Sequence, residues 1–179
     1  AIDESIIGPP LTETLELLSG SQDPALIARL ADAFKASYDS EGYKSTAAFD
    51  GVGALLADLA AAGLTLSIAT NKRIAPTRRI VEHLGWGDFF TSIHALDACT
   101  PALPHKTAML QRLRKALGGT PPLYVGDRAE DAEAAQASGM SFLWASWGYG
   151  GPEAPVPPAR VLHAPLQLVD SVYLGAGRQ

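Results

Sequence analysis

Leu123-Tyr124-Val125-Gly126-Asp127-Arg128-Ala129-Glu130-Asp131 is a short apolar run that ends in two carboxylates four residues apart. The run is brief, bounded by Pro121-Pro122 and Gly126, and rich in strand formers, so it reads as a buried strand. In a parallel α/β sheet, ligands bind just beyond the carboxyl ends of the strands, which is where Asp127 falls. Acidic oxygens there, with no Cys or His beside them, suit a hard cation such as Mg²⁺ rather than zinc. A plainer reading makes Asp127 a helix N-cap and Asp131 part of a solvated helix face. These residues alone leave both readings open.

After about residue 48 the chain alternates strand and helix patterns. Leu64 to Thr70 is a buried strand, Ser92 to Ala95 a weaker one, and Ser141 to Ala145 another, with Val161-Leu162 last. Between them lie a helix at Gly51 to Ala62 with Leu55, Leu56 and Leu59 inward and Gly63 as its left-handed cap, and one begun by Pro76 and ended by Gly85. A helix from His105 to Leu117 and an Ala-rich helix to Ser138 follow. Trp147 to Pro158 is Gly/Pro-rich and reads as a loop. Such alternation with short connections implies a parallel sheet with right-handed crossovers. Before residue 48 the pattern is helical only: Leu11 to Leu18, then a helix opened by Asp23-Pro24 with Leu26, Ile27, Leu30, Phe34 and Tyr38 spaced for one buried face.

Composition narrows the setting. The 179 residues suffice for one full core with a small appendage, and 18% charged residues is ordinary for a globular domain. A net charge of −5 speaks against a general nucleic-acid binder. Cys99 is the single cysteine, so no internal disulfide can form, and a reducing, cytoplasmic setting is the simpler expectation. No apolar stretch reaches the ~18 residues that span a bilayer, so no membrane partner is expected.

Two further residues sit at strand ends or helix starts. Thr70 closes the Leu64 strand and is followed by Asn71 and a helix whose free N–H groups could receive an anion; a local cap is the plain alternative. Lys106 lies in the first turn of its helix, where the macrodipole disfavours a positive charge by ~0.3–1 kcal/mol. A lysine placed against that field is either fully solvated, and then nearly harmless, or retained for a task such as holding a transferring phosphoryl group, for which it supplies a compact charge. Taken together, Thr70, Lys106 and the Asp127/Asp131 pair outweigh their separate local explanations.

These residues resemble the haloacid-dehalogenase-like hydrolases, which carry a Thr or Ser after one strand, a Lys at a later helix start, and Gly-Asp followed by a second Asp. Ile68-Ala69-Thr70-Asn71-Lys72, Trp86-Gly87-Asp88-Phe89-Phe90, His105-Lys106-Thr107, Val125-Gly126-Asp127-Arg128 and Trp147-Gly148-Tyr149-Gly150 look like the phosphoglycolate-phosphatase-like branch, and Ile7-Gly8-Pro9-Pro10-Leu11 is similar to its cap segment. The resemblance implies a Rossmannoid three-layer α/β/α core over residues 48–179 and a partial helical cap over 1–47. It implies a Mg²⁺-dependent phosphomonoesterase acting on a small phosphorylated metabolite through an aspartyl-phosphate. In that mapping Thr70 and Asn71 bind the phosphoryl oxygens, Lys106 balances charge, Asp127 ligates the metal, and Asp131 supports it directly or through water.

One departure is severe. The family's nucleophile sits in an Asp-x-Asp segment on the first, central strand, and no two aspartates here are separated by one residue. Phe49-Asp50-Gly51-Val52 is only a look-alike, and Asp50 reads as an N-cap. Without that strand, two rows of backbone groups between the strands ending at Thr70 and Asp127 would face a gap. The expectation is that roughly 35–40 residues precede Ala1 in the natural protein, and that the 179 residues alone are inactive. The alternative is a catalytically inactive relative that binds a phosphate ligand or a protein. The order of acidic residues after Lys106 disfavours a two-component receiver, and no Gly-rich loop supports a dinucleotide fold or a P-loop.

The remaining features read plainly. His83, His94 and His163 lack ligand spacing, and His105 is expected to be structural. Arg112, Arg114 and Lys115 form a solvated helix face. Trp144, Trp147 and Tyr149 are expected to pack beneath the Gly-rich loop, with the cleft as the alternative place for Trp147, and Lys72 and Arg73 are expected to steer anions toward Thr70.

Overall fold

A computed structural model describes residues 11–119, 122–150, 155–157 and 160–176. The Ile7 to Pro10 part of the cap-like segment and much of the Gly/Pro-rich loop lie outside them. Two compact units are distinguished, Ala1–Thr46 and Ala47–Gln179.

In the first unit α1 (Leu11–Ser19) packs on α2 (Pro24–Ser40). Asp23 caps α2 by accepting from the Ala25 N–H at 3.0 Å, and Pro24 takes the first helical position, where no N–H is needed. Ile27 and Ala31 are its buried residues; Phe34, expected on the buried face, is 45% exposed and stacks on Tyr38 with ring centroids 5.5 Å apart.

The second unit runs α3 (Val52–Ala61), β1 (Leu66–Thr70), α4 (Ile74–His83), β2 (Phe90–Ala95), α5 (Lys106–Leu117), β3 (Leu123–Gly126), α6 (Ala129–Ala137), β4 (Ser141–Ala145), β5 (Val161–Leu162) and α7 (Gln167–Ala176). All pairings among the described residues are parallel. They form two sheets, β1-β2 and β3-β4-β5, with Thr70 opposite Ala95 and Gly126 opposite Trp144.

Alternation along the strands builds the layers. Ala69, Tyr124, Phe142 and Trp144 join Leu110, Ala134 and Ala135 in one core. Their strand neighbours of opposite parity, Leu66, Val125 and Leu143, join Leu55, Leu59, Leu162 and Leu168 in another. The strands are thus covered by α5 and α6 on one face and by α3 and α7 on the other, the three-layer α/β/α arrangement expected. β1 and β3 contribute to both cores yet do not pair with each other. A cavity of about 250 Å³ lies between them, lined by Thr65, Ser67 and Ala69 on one side, Leu123 and Tyr124 on the other, and Leu113 and Leu117 of α5.

Three local readings need correction. The α3 N-cap is Gly51, at φ +83° with no side-chain cap bond, so Asp50 does not cap the helix. α4 begins at Ile74, before Pro76, because Asp97 reaches back to accept from the Ile74 N–H at 2.8 Å. Tyr149 does not pack beneath its loop: it is 48% exposed, whereas Trp144 is buried. No helix among the described residues is long and apolar enough to cross a membrane.

Candidate active site

The site grows from the turn between β3 and α6. Asp131, in the first turn of α6, points back into the protein and is 4% exposed. Its Oδ2 accepts from the backbone N–H groups of Asp127 and Arg128, each at 3.2 Å. Its Oδ1 accepts from the Lys106 ammonium and faces the Tyr124 hydroxyl at 3.3 Å. A buried carboxylate needs such a full set of donors to remain charged. Gly126 makes the turn possible, because a Cβ there would overlap the Asp131 carboxyl group.

Lys106 is buried as well, at 8% exposure, and occupies the first position of α5. Its unfavourable place in the helix field is offset by the ion pair with Asp131 rather than by solvent. His105 precedes it as the helix N-cap, its Nδ1 accepting from the Ala108 N–H at 3.2 Å. That structural role matches the expectation for this histidine.

Asp127 has a different environment. Its Oδ2 accepts from the Tyr149 N–H at 2.7 Å, and among the described residues Oδ1 carries no hydrogen bond. The loop after β4 can approach this closely only because Gly148 and Gly150 lack side chains: a Cβ on the first would overlap the Asp127 carboxylate, and on the second its backbone carbonyl.

β1 reaches the same place from the other sheet. The Tyr124 hydroxyl lies 3.3 Å from the Ala69 carbonyl as well as 3.3 Å from Asp131, so one phenol bridges the strand that bears Thr70 to the Lys106–Asp131 pair. Burial first, and then the Asp131 charge, push this phenol well above its ordinary range, so it stays protonated as a donor. Thr70 Oγ1 accepts from the Lys72 N–H at 3.1 Å, which leaves its own hydrogen to donate. The Asn71 amide donates to Glu130 at 3.1 Å. Thr70, Lys106, Asp127 and Asp131 are therefore tied to the same end of the two sheets, with Asn71 engaged by an acid that sequence reasoning did not single out. Tyr124 was missed too; inside an apolar strand its only signal was a hydroxyl among aliphatic neighbours.

The two carboxylates divide the work that their spacing suggested they share. Asp131 is saturated by protein donors, while Asp127 keeps one oxygen open among the described residues. No group of three or more His, Cys, Asp or Glu side chains among the described residues is placed to hold a metal. A single open carboxylate nevertheless fits Mg²⁺, which is commonly held by one or two carboxylates, with water and substrate phosphate completing its shell.

Comparisons with known proteins agree with this architecture. The chain is 35% identical over 153 residues to the tyrosine-protein kinase PtkA of Mycobacterium tuberculosis, covering 81% of this chain and 49% of that protein. It is 33% identical over 122 residues to a phosphoglycolate phosphatase of Cereibacter sphaeroides, covering 68% of this chain and 56% of the relative. It thus spans about half the length of these curated relatives. Among solved structures, that of M. tuberculosis PtkA superposes with a TM-score of 0.73 at 29% identity over 93% of this chain and 78% of that one. A putative phosphatase of Clostridium difficile, at 19% identity, shares the fold with a TM-score of 0.79 over 94% of this chain and 79% of its own. The sequence model of the haloacid dehalogenase-like hydrolases matches residues 3–145, which takes in Thr70, Lys106, Asp127 and Asp131. The chain belongs to the haloacid dehalogenase-like hydrolase family.

Proposed function

We propose that this chain supplies most of the active site of a Mg²⁺-dependent phosphomonoester hydrolase that resembles the phosphoglycolate phosphatases and works on small phosphorylated metabolites. The carrying observation is the buried Lys106–Asp131 pair, whose carboxylate also holds the backbone N–H of Asp127. It fixes a cation and an open carboxylate oxygen at one strand end. Thr70 donates its hydroxyl hydrogen to a phosphoryl oxygen. Lys106 places its charge beside the transferring group, and Asp131 holds Lys106 and orients Asp127 without ligating directly. Asp127 Oδ1 would hold Mg²⁺, which neutralises charge on the phosphoryl oxygens when bound.

The nucleophile in this reading is a carboxylate on a strand that fills the slot between β1 and β3 and lies outside the 179 residues. Its oxygen forms a bond to phosphorus as the bond from phosphorus to the ester oxygen breaks, and that oxygen takes a proton from water to leave as the alcohol. Water then cleaves the aspartyl-phosphate, releasing phosphate and restoring the carboxylate. The 179 residues alone are accordingly inactive. A cytoplasmic setting accords with soluble metabolites and the free thiol of Cys99.

The test is phosphate release from a panel of phosphomonoesters by the natural full-length protein, with and without Mg²⁺. Asp127→Asn is expected to abolish Mg²⁺-dependent turnover with the fold retained. Asp131→Asn is expected instead to destabilise the fold by about 3–5 kcal/mol, because it leaves Lys106 buried without its counter-charge. Phosphate binding without turnover in the full-length protein would favour the inactive binding module.

A further inference from the structure

The loop that delivers the Tyr149 N–H to Asp127 also carries an exposed aromatic ring, and that ring is not alone. Phe49, just before α3, lies against it with ring centroids 5.5 Å apart at a tilt of 51°. Both side chains remain open to solvent, Phe49 at 40% and Tyr149 at 48%. Isolated surface aromatics need no explanation. These two, however, form a pair from separate segments, and the backbone of one is bonded to the carboxylate that keeps an open oxygen. Other aromatics of the same stretch behave differently: Trp144 is buried and Trp147 packs into the core beneath α3 and α7.

The geometry points to Phe49 and Tyr149 as a ledge that receives the leaving group of the ester, and to phosphate monoesters whose bridging ester oxygen is attached to a flat aromatic ring as the substrate class. The inference rests on the phosphoryl site proposed above and adds the other half of the substrate. Two tilted rings offer apolar, weakly polarised surfaces that suit a third ring better than a hydroxylated or charged chain. The ledge is tied to the phosphoryl site through its backbone, since the Tyr149 N–H donates to Asp127. Gly148 and Gly150 let the loop close directly onto Asp127, so the Tyr149 backbone has little freedom to carry its ring away. Binding sites of this kind combine aromatic walls with a few convergent polar groups, which here are Thr70, Lys106 and Asp127.

The test uses non-hydrolysable probes on the full-length protein in Mg²⁺, so that binding is read without turnover. Benzylphosphonate mimics a phenyl ester of phosphate, and ethylphosphonate mimics a methyl ester of the same charge. Titration calorimetry is expected to show benzylphosphonate bound about three- to tenfold more tightly. Phe49→Ala and Tyr149→Ala should each bring the ratio of the two affinities toward one; Phe49→Leu, which keeps apolar bulk without a ring, should lower it as well. Equal affinities in the parent protein, or a preference that survives both alanine variants, would overturn the ledge while leaving the phosphoryl site standing. Failure of both phosphonates to bind would overturn the ledge together with the site.

Discussion

Tyr124 is the side chain on which the two sheets meet, and its chemistry can be tested by pH. The hydroxyl has one hydrogen and two acceptors, the Ala69 carbonyl and Asp131 Oδ1, both at 3.3 Å. Removing it in Tyr124→Phe should cost about 1–2 kcal/mol, since one of the lost partners is charged. The raised phenol adds a pH signature. The native state keeps this proton where the unfolded chain, with a phenol near its ordinary value of about 10, gives it up. That contribution is complete below pH ~10 and is lost as pH climbs toward the folded value, so stability falls with rising pH. Tyr124→Phe lacks this contribution. Its denaturant midpoint should therefore decline less steeply above pH ~10 than that of the parent protein, and parallel curves would show that the phenol titrates normally.

The β3–α6 turn and the loop after β4 act as one device, joined at Asp127. Gly150→Ala places a Cβ into the Asp127 backbone carbonyl, which cannot rotate away, so the loop must retreat and take the Tyr149 N–H with it. Partners that orient a ligand are typically worth 10–100-fold in metal affinity. A loss of about that size in Mg²⁺ binding is expected by calorimetry, with far-UV circular dichroism unchanged. Gly87→Ala, where a Cβ would meet nothing within 4 Å, is the control. The same elements show what was legible beforehand. Periodicity and glycine stops located β1, β3, β4 and the main helices, because those signals are local. The start of α4 was not legible, since its cap comes from Asp97, 23 residues on. Nor was the division between Asp127 and Asp131: spacing suggests a metal pair, whereas Lys106, 25 residues earlier, engages one of them. Tyr149 read as packing material because nothing local says that its N–H lands on a carboxylate 22 residues away.

The whole molecule turns on the slot between β1 and β3. Both strands feed the same two cores and neither pairs with the other, so an edge of each borders the cavity of about 250 Å³. The layers on both faces require any strand placed there to be apolar on both sides, a near-continuous run of the Val/Ile/Leu kind. It would add ladder bonds to β1 and to β3, each worth about 0.5–1.5 kcal/mol net. Set against a typical domain stability of ~5–15 kcal/mol, one such strand of about five residues decides whether the fold is marginal or robust. On the proposed reading, in which such a strand belongs to the natural protein, the 179-residue chain is expected to unfold at distinctly lower urea concentration than a chain extended to include it. Slow amide exchange should extend to both facing edges only in the longer form. Equal urea midpoints, or edge amides of β1 and β3 already protected in the 179-residue chain, would mean that Tyr124 and its neighbours close the slot unaided. The nucleophile would then have to be sought elsewhere than on a strand between Thr70 and Asp127.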